Sequence, residues 1–261
     1  MNYTTVVGVD AHHLEQLALT WPTWRRHKPS LLDHPMVVFY DTSQLTEAAV
    51  CGVVDHPYLK VIPWPLGDAE YLVGDGEDRW SGAQRYKMLA GFVYVPAAYV
   101  ETDYWLKIDT DTIALGQDDW IDPSWFEGKP AIVSQKWGFT KPANQMLVLD
   151  DWVERNKDKL SLSNQPPLNL APKPDAGRVS HPRIISWCGF FRLELSYKAA
   201  DNAMRTCGTG YLPVRSQDGF MWYVATRHGW EVKRVNMKSR GWLHRHTMGN
   251  IRKESEEAMK C

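Results

Sequence analysis

The sequence predicts an α/β fold with a mixed central sheet flanked by helices, and three observations carry that expectation. Apolar runs of strand length, Tyr3 to Asp10, Pro35 to Asp41 and Val54 to Pro63, recur with helical spacing between them, the order that places strands in parallel beneath covering helices. At 261 residues and 44% hydrophobic content the chain can bury a full core. α/β folds of that length are commonly undivided, so one domain over residues 1–261 is expected. The third observation is the run Tyr104-Trp-Leu-Lys-Ile-Asp109-Thr-Asp111-Thr-Ile-Ala-Leu115, where a strand carries two aspartates to its end.

The elements follow in order. Tyr3 to Asp10 reads as a buried strand, followed by a loop and a helix from Leu14 to Arg26. Trp64 to Trp80 is rich in glycine and acids but lacks the ligand spacing of an EF-hand, and reads as a flap. Ser81 to Val95 has Tyr86, Leu89, Ala90 and Val93 on one helical face, closed by Pro96. In Tyr104 to Ile108 alternate residues predict a strand with two unlike faces, Lys107 lying on the second. Trp120 to Phe126 reads as a surface connection, and Ala131 to Ser134 as a strand. Met146 to Glu154 is expected to be helical, and Ser161 to Pro182, with five prolines, an extended excursion. Ile184 to Leu193 is a strand interrupted by Gly189, where a missing side chain lets another backbone or a ligand come close. Glu194 to Arg205 follows as a helix.

A spacing of two on a strand sends Asp109 and Asp111 to one side. Two carboxylates so close repel, and Mn2+ or Mg2+ relieves the repulsion while keeping positions open for phosphate oxygens. A solvated turn is the plainer reading of such a pair.

The flanks narrow the choice. A helix, a short connection and a strand ending in Asp-x-Asp resembles the centre of a GT-A (Rossmann-like) glycosyltransferase. The likeness is closest to retaining family 8, which includes glycogenin and bacterial galactosyltransferases. Tyr86-Lys87-Met88 looks like the family's helix motif whose basic residue reaches the donor, with Arg85 the competing candidate. His246-Thr-Met-Gly249-Asn-Ile-Arg252 is similar to the family's His-x-x-Gly-x-x-Lys, with arginine in the lysine position; arginine also neutralises phosphate, through two parallel hydrogen bonds. The resemblance implies a metal held by Asp109, Asp111 and His246, with His244 as the other possible histidine ligand, and a donor diphosphate met by Arg252. It places Asp10 at the nucleotide base, commonly uracil, and Thr110 among the donor contacts. Gly189 looks like the glycine that passes under the transferred sugar. Arg215-Ser-Gln217-Asp218 resembles the Asp-Gln-Asp segment below the anomeric carbon, with Ser216 replacing the first aspartate. Gln217 and Asp218 are the implied catalytic residues. Asp218 as a plain helix N-cap is the alternative.

The implied activity is transfer of a hexosyl group from a nucleotide sugar, a UDP-sugar by the resemblance, to a hydroxyl acceptor with retention of configuration. Residues 1–115 would form the donor half and 116–261 the acceptor half, its lysines and arginines (Lys136, Lys141, Lys173, Arg178, Arg183) suited to an anionic acceptor. A saccharide is the expected acceptor; a modified base in nucleic acid is the other, which a net charge of −1 does not favour. Two further readings stay open: a haloacid-dehalogenase-like phosphatase or phosphotransferase using Asp109 as nucleophile, and a binder of nucleotide sugars without turnover. No basic start with an apolar core and no run of about 20 apolar residues is present, so no transmembrane segment is expected. Four scattered cysteines point to reduced thiols and a cytoplasmic, soluble protein. Of the thirteen tryptophans, Trp80, Trp137, Trp187 and Trp242 lie beside the candidate site segments.

Overall fold

Short apolar runs become strands that are buried on both faces. β1 (Tyr3–Val9), β2 (Met36–Tyr40) and β4 (Tyr104–Ile108) are buried at every residue. Such strands need cover above and below, and a parallel sheet wrapped by helices supplies it. The computed structural model describes residues 1–64, 83–116, 118–136, 143–162, 184–208, 210–214 and 216–260, with the backbone alone at 83–87, 136, 143–147 and 184–186. Together with β3 (Leu59–Pro63), β6 (Ile132–Lys136), β7 (Ile184–Arg192) and β8 (Val232–Val235), these strands form a seven-stranded sheet in the order β3-β2-β1-β4-β7-β6-β8. All pairings are parallel except the two that β7 makes, with β4 and with β6. A separate ribbon pairs β5 (Thr112–Ala114) antiparallel with β9 (Trp242–His244).

Alternate residues of the strands feed two cores. On one side Tyr3, Val7, Val38, Leu106 and Ile108 meet Leu17, Trp21 and Trp24 of α1 (Ala11–His27), with Trp120, Trp125 and Trp242. On the other, Val6, Val37, Phe39 and Trp105 meet α3 (Ala83–Tyr99), α5 (Leu193–Cys207) and α6 (Gln217–Arg227). The smaller helices α2 (Glu47–Val53) and α4 (Ala143–Asn156) and the C-terminal α7 (Met248–Ala258) complete the set. Helix α3 lies close on the sheet because two glycines admit one ring. A Cβ on Gly8 or on Gly91 would come within 2.4 Å of the Phe39 side chain.

Several expectations change. Helix α1 starts directly at Asp10, with no intervening loop, because the Asp10 carboxylate accepts the backbone N–H of His13 at 2.8 Å and caps the first turn. Pro96 does not close α3. It sits in the last turn, where the chain still gains a Val100 N–H to Pro96 C=O bond. Trp120 and Trp125 are core residues, since the second face of the sheet needs a cover there. Strand β4 has no solvent face, and Lys107 is 4% exposed. The third strand begins at Leu59; Val54 ends α2. The predicted flap after Trp64, and the excursion after Leu162 with Lys173 and Arg178, lie outside the described residues, as do Lys141 and Arg183. None of the described cysteines, Cys51, Cys188 and Cys207, is in a disulfide. No described helix is long and apolar enough to cross a membrane.

Candidate active site

The strand order dictates where a ligand can sit. From β1 the chain moves outward to β2 and β3, then returns to add β4 on the other side of β1. The crevice at the carboxyl ends of β1 and β4 is therefore the topological switch point, the usual ligand site of open α/β sheets. Asp10 ends β1, and Asp109 to Asp111 follow β4.

Past Asp109 the chain turns, the Thr112 N–H bonding the Asp109 carbonyl at 3.0 Å, and enters the ribbon. There Thr112 stands opposite His244, and the Arg245 N–H bonds the Asp111 carbonyl at 3.0 Å. That register delivers two imidazoles to one carboxylate. His244 Nε2 lies 3.0 Å from Asp111 Oδ1, and His246 Nδ1 lies 3.7 Å from Oδ2. The three donor atoms fall within 4.8 Å of one another. Trp187 stacks on His244 at 5.6 Å between centroids and 9° between planes, which fixes the ring's orientation. One carboxylate oxygen and two imidazole nitrogens, with the remaining directions open, make a donor set that fits a first-row divalent ion such as Mn2+; Mg2+ prefers oxygen alone.

Asp109 stands outside that cluster. Its Oδ1 is 2.6 Å from Lys107 Nζ, and Asp218 Oδ1 lies 4.0 Å from the same ammonium. Burial alone would push the Lys107 pKa down, but the charges of Asp109, Asp218 and Asp111 and the Asp109 hydrogen bond raise it above the ordinary lysine value, so the group stays charged. Three carboxylates around one ammonium leave the site with a formal excess of negative charge that suits a cation.

Helix α6 opens at the site. Ser216, not Asp218, is its N-cap: the Ser216 hydroxyl accepts the Gly219 N–H at 3.1 Å, which frees Asp218 to face Lys107. Gln217, 1% exposed, keeps both its amide nitrogen and its amide oxygen without a hydrogen-bond partner among the described residues. Buried amides are almost always paired, which makes this amide a candidate for contact with a bound group. Helix α7 begins two residues after His246, capped by Thr247. A Cβ on Gly249 would meet nothing within 4 Å, leaving the first turn of α7 open to an anion, and Arg252 lies exposed one turn on.

Asp10 also accepts from His13 Nδ1 at 2.7 Å. Burial tends to raise its pKa, but the hydrogen bonds and charge of His13 outweigh that and hold the carboxyl below the ordinary range. Thr110 points away from the crevice: its hydroxyl, 3% exposed, donates to Gln16 Oε1 at 2.7 Å, and its carbonyl accepts from Thr20. Arg85 and Lys87 lie near the start of α3, where side chains are outside the described residues. Lys136 is likewise described by backbone alone. The described contacts thus bring Asp109 and Asp218 together on Lys107, and Asp111 together with both histidines, while Gln217 stands next to Asp218 at the start of α6. Two members, Lys107 and the stacking Trp187, were not anticipated in those roles. A lysine inside an otherwise apolar strand, two residues before an aspartate, was the available signal for the first.

No family model matches the sequence, and no curated protein sequence matches it significantly. Solved structures do match. Core-mannan synthase A (CmsA/Ktr4) from Aspergillus fumigatus in a Mn/GDP form superposes with a TM-score of 0.58 at 14% identity, over 89% of this chain and 71% of that one. The mannosyltransferase Ktr4p from S. cerevisiae gives 0.55 at 13% identity, over 93% and 70%. The galactosyltransferase LgtC in complex with donor and acceptor sugar analogs gives 0.51 at 12%, over 97% and 82%. The chain therefore has the GT-A fold of these glycosyltransferases.

Proposed function

We propose that this chain is a metal-dependent glycosyltransferase that moves a hexosyl group from a nucleoside-diphosphate sugar, a UDP-sugar in the first instance, to a hydroxyl of a saccharide, with retention. The observation that carries the reading is the Asp111–His244–His246 cluster at the switch point of a GT-A fold.

A divalent ion held by those three side chains would supply Lewis-acid stabilisation of the leaving diphosphate. The chain's own groups do the rest. Asp10 accepts an N–H of the nucleobase with the oxygen that His13 leaves free. The N-terminus of α7 and Arg252 receive the diphosphate, whose negative charge grows as the glycosidic bond breaks. Lys87 or Arg85, at the start of α3, is the candidate basic contact to the donor. The Gln217 amide oxygen faces the electron-poor anomeric carbon, and Asp218 adds negative charge beneath it. The acceptor hydroxyl attacks from the face that the diphosphate leaves, losing its proton to a diphosphate oxygen.

Turnover of UDP-, GDP- and dTDP-sugars with Mn2+, read as nucleoside diphosphate release, tests the reading. One donor should be turned over, and NMR of the product should show the anomer of the donor. Donor binding without release would make the chain a nucleotide-sugar binder; an inverted product would remove retention.

A further inference from the structure

We propose that Lys107 is a positioning residue that withdraws Asp109 from the metal's ligands and ties it to Asp218, leaving Asp111 as the one aspartate of the Asp-x-Asp pair that ligates the ion. The inference rests on the glycosyltransferase reading for its purpose but not for its geometry.

Lys107 lies in the middle strand of the sheet, flanked by the apolar Leu106 and Ile108, and is almost fully buried. An ammonium there loses its hydration, and an apolar side chain of similar size would serve packing as well or better. The groups the charge serves are at the site. Asp109 Oδ1 sits at 2.6 Å, a charge-assisted bond, while Asp218 Oδ1 stands at 4.0 Å and the face of Phe92 lies 4.9 Å below. The stem of Lys107 and the side chain of Asp109 project from the same face of β4, two residues apart, so the pair forms without distortion. The cluster of metal-type donors accordingly contains Asp111, His244 and His246 but not Asp109. The second oxygen of Asp109 has no partner among the described residues, and 32% of its side chain is exposed. The ammonium thereby links Asp109 at the end of β4 to Asp218 on α6.

Mn2+ binding alone, followed by the electron paramagnetic resonance signal of free Mn2+, tests this without any substrate. Asp111→Asn and His244→Ala are expected to weaken binding by more than about 100-fold, beyond the loss typical of a residue that merely orients a ligand. Asp109→Asn should leave the affinity within a few-fold of the native protein. Lys107→Met releases the Asp109 carboxylate to the ion, so its Mn2+ affinity should rise, whereas Lys107→Arg, which retains the ion pair, should bind as the native protein does. A structural role alone would lower affinity or leave it unchanged. If Asp109→Asn weakens Mn2+ as much as Asp111→Asn, or if Lys107→Met folds and binds Mn2+ more weakly, the proposal is wrong. Circular dichroism establishes the fold of each variant, and the comparison of Asp109→Asn with Asp111→Asn keeps the test decisive if the Met variant does not fold. Because the readout is metal alone, the pattern stands or falls separately from any donor being turned over.

Discussion

Replacing Gln217 by methionine should make the protein more stable and less active at once. The side chain is 1% exposed and neither of its polar atoms has a partner among the described residues. A buried polar group left unpaired costs about 1 to 3 kcal/mol, and an apolar side chain of matching shape removes that cost. Methionine has nearly the same length and bends into the same space. The expected gain is about 1 to 3 kcal/mol, which for a chain of this size is a rise in Tm of about 2 to 10 °C. The same change removes the group proposed to face the anomeric carbon, and losing one such contact lowers kcat by about 100- to 1000-fold. Thermal unfolding without ligand, followed by turnover of the preferred donor, reads both. A Met variant less stable than the native protein would mean that the amide is satisfied within the fold. A variant that is more stable and fully active would mean that the amide does not face the reaction.

Three further outcomes follow from other parts of the molecule. Gly241 has φ +78° and a Cβ there would lie 2.0 Å from the Leu115 carbonyl oxygen, so Gly241→Ala should cost at least about 2 kcal/mol in denaturant unfolding and weaken Mn2+ binding by displacing β9. Trp187→Leu removes the ring that stacks on His244 and should lower Mn2+ affinity by about 10- to 100-fold, checked by Mn2+ titration. Asp10→Ala loses the N-cap of α1 and should cost about 1 kcal/mol at neutral pH. Because the folded carboxyl titrates below its unfolded value, its contribution is present above the unfolded pKa and is lost as pH falls through the folded one. Native and variant proteins should therefore converge in stability under acid conditions and separate at pH 7; a constant difference down to the acid limit would contradict the His13 interaction as the source.

Much of the fold was legible because strand and helix periods differ. The short apolar runs ending at Asp10, Asp41 and Ile108, set apart by helical segments, let the parallel half of the sheet be read directly, and the aspartates marked its ligand edge. What was not legible depended on long-range pairing or on context that overrides a local rule. Asp111 meets His244 only because β5 pairs with β9 in one register, which no local pattern encodes. Lysine in a strand normally signals a solvent face, and Lys107 breaks that rule because carboxylates from β4 and α6 converge on it. Prolines normally end helices, yet Pro96 lies within α3. Trp120 and Trp125 looked like surface residues because the need to cover a second sheet face is not visible in their own segment.

The most direct test of the account is the release of nucleoside diphosphate from the preferred sugar donor by the native protein, with Mn2+ and after chelation, beside Asp111→Asn and His244→Ala. Release that requires Mn2+ and falls by at least about 100-fold in both variants is the predicted result. Equal release after chelation, or no release from any donor together with no donor binding by calorimetry, would contradict it.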